Sequence, residues 1–243
     1  MYKVNVEAEF TAFIRAFGGK VVSDLVGPSP EFPNADYYFP EERVVAELKC
    51  LEDNKREDPN LQQKVQILFD RWMADGTIPV IYGEQVTIQS KSLPESCQYE
   101  LYDVYKPAIQ RRIVKANKQI KATASRLRVE PFFGLLLLAN DGNYAMEAAA
   151  IVHQVRRILG TKFRHINTVV YFTVNMDASS PWTEKSSLVW MHMNRAPSPS
   201  VSTDFTNRLL SGWIAHLEKI MGEKIDTFQL SNLSEVETIK YRS

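Results

Sequence analysis

The sequence predicts an α/β fold in which helices flank a mixed central sheet. Residues 44–50 (Val-Val-Ala-Glu-Leu-Lys-Cys) are apolar or β-branched apart from two charges, which is typical of a strand. Residues 132–139 have no polar side chain, which predicts a central strand buried on both faces. Segments with apolar residues at helical spacing surround these two strands. A chain of 243 residues that is 44% hydrophobic can bury a sizeable core, and we expect one domain over residues 1–243.

The first part of the chain predicts a helix followed by three short strands. Apolar residues recur at helical spacing over residues 3–17, and Gly18-Gly19 ends this helix. Residues 20–26 predict a short strand. Residues 35–39 are aromatic and predict a strand that turns through Pro40-Glu41-Glu42 into the strand at 44–50 as a hairpin.

The middle of the chain is more polar. After a charged loop, Asp58-Pro59 is a typical helix start, and an amphipathic helix is predicted over residues 59–74. Residues 78–88 predict one strand or two short ones, and residues 91–99 predict a loop. A longer amphipathic helix is predicted over residues 109–128.

After the buried strand, predicted helices and predicted strands alternate along the chain. Residues 144–159 predict a helix, and residues 166–174 and 187–193 predict strands. A last helix is predicted from Phe205, with Gly222 ending it.

Composition and charge limit the possible cellular compartments but do not by themselves indicate a binding partner. The 29 basic and 29 acidic residues cancel, so any nucleic-acid-binding surface must come from local clustering. The two cysteines do not make a disulfide framework. No apolar run approaches the ~20 residues of a membrane span, and charges interrupt the N-terminus where a signal peptide would be apolar. We expect a cytoplasmic protein with no membrane partner.

Three charged residues stand out around the hairpin. Because strand side chains alternate between faces, Val45, Glu47 and Lys49 share one face of the strand at 44–50. Burying an unpaired charge is costly, so two charges in an otherwise apolar strand need a reason. Asp36, eleven residues before Glu47, completes a set in which two carboxylates could hold a divalent cation with a lysine beside it.

Pro33, Asp36, Glu47 and Lys49 together resemble the signature of the PD-(D/E)XK nuclease superfamily, which has the restriction endonuclease-like fold. This chain departs from the pattern in that Asn34 and Ala35 separate the proline from the aspartate. The resemblance implies an α–β–β–β–α–β core, here about residues 1–50 and 107–143. It then makes residues 51–106 an insertion and residues 144–243 a C-terminal extension.

The resemblance also implies further site residues. A glutamate on the first helix often points at the metal in this family, and Glu9 is the matching candidate, with Glu7 a weaker competitor; a solvated helix charge is the alternative. The helix after the Asp/Glu-x-Lys strand often contributes a Lys or Gln, which points to Lys115, Lys118 and Gln119. If the helix at 59–74 is the core helix instead, Gln62 or Gln63 takes that place.

The helix at 109–128 is strongly basic. No Asp or Glu occurs between Lys106 and Val129, and unopposed positive charge of this kind indicates a phosphate-backbone partner, with a solvated basic face as the alternative. The candidate nucleic-acid-binding residues are Arg111, Arg112, Lys115, Lys118 and Lys121.

From these residues we expect a nuclease that uses Mg²⁺, or Mn²⁺ in its place, to hydrolyse DNA in phage defence, restriction or repair. The expected metal ligands are Asp36, Glu47 and Glu9, with Lys49 and Gln119 completing the catalytic set. Two alternatives stay open. One is an inactive nucleic-acid- or protein-binding module, in which Lys49 and Glu47 form an ion pair without metal. The other is a homodimer or a subunit of a larger defence or repair assembly.

Overall fold

The computed structural model describes residues 3–27, 30–80, 82, 83, 88, 90–185, 187–230 and 232–242. Six strands form one sheet, which in order across the sheet are β1 (Lys20–Val21), β2 (Tyr37–Phe39), β3 (Val44–Leu51), β4 (Phe133–Asp141), β5 (Thr168–Val174) and β7 (Trp190–Asn194). Two short strands, β6 (Asp177–Ser179) and β8 (Lys240–Arg242), pair with each other in a second sheet.

The large sheet is mixed. β2 runs antiparallel to both β1 and β3, whereas β3, β4 and β5 are parallel, and β7 returns antiparallel to β5. The three parallel strands therefore end at the same edge of the sheet, at Leu51, Asp141 and Val174. The predicted α/β class with a mixed central sheet is confirmed.

Helices account for most of the remaining regular structure. They are α1 (Val6–Phe17), α2 (Val22–Val26), α3 (Pro59–Ala74), α4 (Glu95–Leu127), α5 (Ala148–Lys162), α6 (Thr203–Met221) and α7 (Leu233–Val236). Short 3₁₀ turns lie at Lys55–Glu57 and Ser90–Ser92. No helix in the described ranges has the length and apolar character that crossing a membrane requires.

Helices cover both faces of the sheet. On one face, α1 and α6 bury Phe10 and Trp213 against a core that includes Leu48 of β3. On the other face, α4 and α5 pack on a core that includes Val45 and Leu136. The strand β3 thus has a helix-covered face on each side, as expected for a strand in the middle of a three-layer fold.

The helix that covers β3 and β4 is α4. Its apolar stripe joins the core on that face of the sheet, and it consists of Ile109, Ile113, Ala116, Ile120 and Ala124. By contrast, α3 packs on α4 and contributes Trp72 to a separate small core with Cys97. Of the two helices that the sequence left open as the core helix, the structure therefore places α4 on the sheet.

Several predicted boundaries are wrong in detail. The expected strand at 20–26 is a strand only at Lys20–Val21, after which the chain turns into α2. The expected loop at 91–99 is wrong from Glu95 onward, because α4 begins there and continues through Pro107 for 33 residues. The strand predicted at 78–88 falls partly on residues outside the described ranges, and its described residues are not in a strand.

The C-terminal part of the chain belongs to the same sheet. Residues 144–243 supply β5, which pairs along its whole length with β4, and β7, which forms the far edge. They also supply α6, which packs against α1 over the face that carries Leu48. The segment treated in the sequence as an extension is therefore built into the central layer.

Candidate metal centre

The hairpin brings Asp36 and Glu47 together. Tyr37 of β2 lies opposite Ala46 of β3, so the next position of this antiparallel register sets Asp36 beside Glu47. The backbone N–H of Leu48 donates to Asp36 Oδ2 at 2.8 Å and fixes the carboxylate there. The two carboxyl groups lie close enough for each to affect the pKa of the other.

This pair of carboxyl groups is electrostatically costly. Glu47 is fully buried, with 0% of its surface exposed. Burial, followed by the nearby charge of Asp36, raises the pKa of Glu47 to about 8. Burial also raises the pKa of Asp36, although the hydrogen bond from Leu48 and the charge of Lys49 act in the opposite direction. Two ionised carboxylates this close need positive charge near them.

Lys49 supplies part of that charge. Its ammonium group forms an ion pair with Glu47 Oε1, and only 16% of the lysine side chain is exposed. The other oxygen, Glu47 Oε2, is buried and accepts no hydrogen bond from any described residue. An unpartnered buried carboxylate oxygen is unfavourable unless something positive contacts it, so this oxygen is a free ligand position.

The two glutamates of α1 point to different places. They are two residues apart, about 200° around a helix, so they lie on nearly opposite sides of it. Glu9 Oε2 lies 2.9 Å from His216 Nε2 on α6, so this glutamate pairs with an imidazole, and its expected role as a metal ligand stays a prediction. Glu7 lies close enough to Asp36 for its charge to raise the aspartate pKa.

Glu7 also belongs to a second group of potential ligands. One ligand atom each from Glu7, Cys50 and Glu52 lies within 4.8 Å of the others, and no other group of three such side chains in the described ranges approaches so closely. Burial and the charges of Glu7, Glu52 and Asp141 raise the pKa of the Cys50 thiol to about 12. At neutral pH this thiol is therefore protonated and uncharged.

Asn175 positions the start of α1 at this edge of the sheet. It follows β5 with a left-handed backbone, φ 56°, and its side chain makes three hydrogen bonds of 2.7 Å. It accepts from the N–H of Val4 and donates to the Val4 carbonyl and to Asp141 Oδ1. The residues before α1 are thereby tied to the ends of β4 and β5, which places Glu7 beside Cys50. An asparagine after a strand is a common turn residue, so sequence reasoning had no signal for this role.

Gln119 and Thr123 of α4 hold the loop that leads into Asp36. The Gln119 amide donates to the carbonyl of Asn34 at 2.7 Å, and the Thr123 hydroxyl accepts from the N–H of Ala35 at 2.7 Å. Gln119 Oε1 is buried without a described donor. The structure therefore gives Gln119 a positioning role for the Asp36 loop.

The five predicted nucleic-acid-binding residues do not share one surface. Arg111, Lys115 and Lys118 line a shallow groove on the outer face of α4. Arg112 is turned inward, where it donates to the carbonyl of Cys50 at 2.7 Å. Lys121 lies near His165, and its charge helps to lower the pKa of that imidazole.

Lys115 lies on the line of α4 that also carries Arg112 and Gln119, because it comes three residues after the arginine and four before the glutamine. Its two neighbours on that line are anchored at the carbonyls of Cys50 and Asn34, which flank the segments carrying Lys49 and Asp36.

Comparisons of the chain with protein-family models, with curated proteins and with solved structures gave no match.

Proposed function

We propose that this chain is a Mg²⁺-dependent nuclease that hydrolyses phosphodiester bonds of DNA. The observation that carries the proposal is the buried set of Asp36, Glu47 and Lys49 on one face of the hairpin, with Glu47 Oε2 left unpartnered. Buried charge without a structural role marks a functional site more often than a solvated one does.

The donor set fits a hard divalent cation. Carboxylate oxygens are the ligands that Mg²⁺ prefers, and Asp36 and Glu47 offer them side by side on the hairpin. Glu7 is a further ligand candidate from α1, in place of Glu9. When bound, Mg²⁺ supplies a lowered pKa for a coordinated water and neutralises charge on a phosphate oxygen.

The chain's own residues complete the chemistry. The Lys49 ammonium, held at the acidic pair, stabilises the extra negative charge that develops as water attacks phosphorus. Arg111, Lys115 and Lys118 bind the phosphate backbone and hold the strand over the site, since such contacts position a substrate without specifying its sequence. Gln119 keeps the Asp36 loop in place.

The order of elements supports the same proposal. Leaving aside the short helix α2 and the helix α3, the chain runs α1, β1, β2, β3, α4, β4. This is the α–β–β–β–α–β order that the resemblance implies, with Asp36 directly before β2 and Glu47 on β3.

The test is incubation of the purified chain with supercoiled and linear DNA in Mg²⁺, Mn²⁺ or EDTA. We expect cleavage in either metal and none in EDTA. The same assay with an RNA substrate shows whether the chain cleaves DNA, RNA or both. The absence of cleavage of any of these substrates in both metals would contradict the proposal.

A binding module that needs no metal is the second candidate. The ion pair between Lys49 and Glu47 favours it, because that pair satisfies part of the buried charge with protein groups alone. Under this alternative, DNA binds to the α4 groove with equal affinity in Ca²⁺ and in EDTA, and it is not cleaved in Mg²⁺ or Mn²⁺.

A further inference from the structure

A cavity lies between α3 and α4 at the end of β3, beyond the acidic pair. Its volume is about 160 Å³, and we call it the α3–α4 cavity. Leu51, the last residue of β3, forms part of its wall and lies four residues after Glu47, about 13 Å along the strand. The cavity therefore opens at the carboxyl end of β3, the strand that carries Glu47.

The interior of the α3–α4 cavity is apolar and includes an aromatic ring. Its apolar wall is formed by Leu51, Leu61, Val104, Ile109, Met146 and Ile151. Tyr105 of α4 adds a ring that is partly buried against the same core. A volume of 160 Å³ is smaller than the ~300 Å³ at which drug-sized ligands begin, so it suits a single ring system.

The rim of the cavity is positively charged. Lys55, Lys64 and Arg111 line it, against the single carboxylate of Asp58. Lys55 lies 2.9 Å from Asp53 and 3.9 Å from Asp58, which accounts for its charge. Within the described parts of the chain, neither Lys64 nor Arg111 forms an ion pair. Two cations thus remain available to an anion at the mouth of an apolar cavity.

We propose that the α3–α4 cavity binds one nucleotide of the substrate strand, with its base inside and its phosphate against Lys64 and Arg111. The inference rests on the proposed function and deepens it. A base stacks on an aromatic face without regard to its identity, and the Tyr105 ring provides such a face. A phosphate at the mouth finds charge-assisted donors from two different helices.

The position of the cavity agrees with one continuous strand. Arg111 lines both the α3–α4 cavity and the outer groove of α4 that Lys115 and Lys118 share. A phosphate backbone in the groove therefore passes the mouth of the cavity. The segment between β3 and α4 would then have a function, because Lys64 and the wall residue Leu61 both lie on α3.

The experiment is a methyl NMR titration in EDTA, so that binding is measured apart from cleavage. Met146 lines the α3–α4 cavity, whereas Met221 lines a separate apolar cleft beside α6. The chain labelled at its methionine methyl groups is titrated with dAMP, with deoxyadenosine and with inorganic phosphate. The Met146 signal is assigned through Met146→Leu.

We expect dAMP to shift the Met146 signal at millimolar concentration and to leave Met221 unchanged. Deoxyadenosine and phosphate alone should each bind about tenfold more weakly, because each lacks half of the contacts. Lys64→Gln should weaken dAMP binding by about tenfold, whereas Lys219→Gln, an equal change of charge on α6, should not. Both lysines are exposed, so neither variant threatens the fold.

Three results would overturn the inference: no shift at Met146, equal affinity for dAMP and deoxyadenosine, or equal binding by the Lys64→Gln and Lys219→Gln variants. Each is independent of the nuclease proposal. DNA cleavage in Mg²⁺ without a shift of the Met146 signal supports the nuclease proposal and contradicts nucleotide binding in the α3–α4 cavity. If the chain cleaves no DNA but dAMP shifts the Met146 signal and Lys64→Gln weakens that binding, the nucleotide-binding proposal is supported and the nuclease proposal is contradicted.

Discussion

The two faces of β3 bury different kinds of side chain at the same depth. Val44, Ala46 and Leu48 face α1 and α6 and are packed in an aromatic-rich core. Glu47 and Lys49 face the other side, where they form an ion pair beside Asp36. The first face accounts for stability by apolar burial, whereas the second retains a costly pair of carboxyl groups. The comparison indicates that one strand carries the fold on one face and the chemistry on the other.

The largest expected effect separates the two faces by activity. Asp36→Asn and Lys49→Gln should each reduce Mg²⁺-dependent cleavage by on the order of a hundredfold to a thousandfold, because a metal ligand or a transition-state cation is lost. Leu48→Ala, on the apolar face, should cost about 2–5 kcal/mol of unfolding free energy and leave cleavage per folded molecule nearly unchanged. Cleavage rates and denaturant melts measure both. Equal loss of activity in all three variants would contradict the proposed difference between the two faces of β3.

The second effect concerns stability against pH. The pKa of Glu47 rises from 4.5 to about 8 on folding, so between these values the folded chain keeps a proton that the unfolded chain has released. The free energy of unfolding therefore falls as the pH rises through this window, by roughly a few kcal/mol in total. Glu47→Gln should lose this fall and be more stable than the wild type at pH 8 in EDTA.

Thermal melts in EDTA from pH 5 to pH 9 measure this difference. Adding Mg²⁺ should stabilise the wild type more at pH 8 than at pH 6, because cation binding requires the ionised carboxylates. The Gln variant should not respond in this way. A wild-type chain that gains stability as the pH rises in EDTA would contradict the assignment.

A smaller effect should distinguish the two glutamates of α1. Glu7→Gln should raise the Mg²⁺ concentration for half-maximal cleavage by about tenfold, since the charge of Glu7 acts on Asp36. Glu9→Gln is the matched control on the same helix and should leave that concentration unchanged, because Glu9 contacts His216. Cleavage measured across a Mg²⁺ series checks both. The reverse order of effects would indicate that Glu9, and not Glu7, is the metal ligand.

The smallest effect compares the two flanks of α4. Lys118→Gln, in the outer groove, should weaken DNA binding a few-fold in EDTA and reduce the slope of log affinity against log salt by about one. Lys121→Gln, near His165, should change the slope less. Fluorescence anisotropy at several salt concentrations measures the slopes. Identical slopes for the two variants would contradict the distinction between Lys118 and Lys121 and would indicate that both contact the phosphate backbone.

Strand periodicity explains why the faces of β3 could be predicted from the sequence. Alternation assigns Glu47 and Lys49 to one face without knowledge of the rest of the fold, and the hairpin turn brings Asp36 opposite. The apolar stripe of α4 was equally predictable as a helix facing a core. In these regions the local pattern and the tertiary packing favour the same structure.

The choice between Glu7 and Glu9 could not be made in the same way. Each lies at the edge of the apolar stripe of α1, so the helical pattern alone does not say which edge faces the carboxyl ends of the strands. That orientation depends on Asn175, which is distant in sequence from Val4, the residue it holds. Similarly, Pro107 interrupts the helical pattern of the sequence inside α4, whereas packing against Trp72 of α3 supports the turns before it.

The most direct test of the central claim is a count of divalent cation sites by Mn²⁺ titration, followed by electron paramagnetic resonance of the free ion. The account predicts at least one site in the wild-type chain that is lost in Asp36→Asn and in Glu47→Gln and kept in Glu9→Gln. Equal Mn²⁺ binding by the wild type and both of the first two variants would contradict the claim that Asp36 and Glu47 hold a metal ion together.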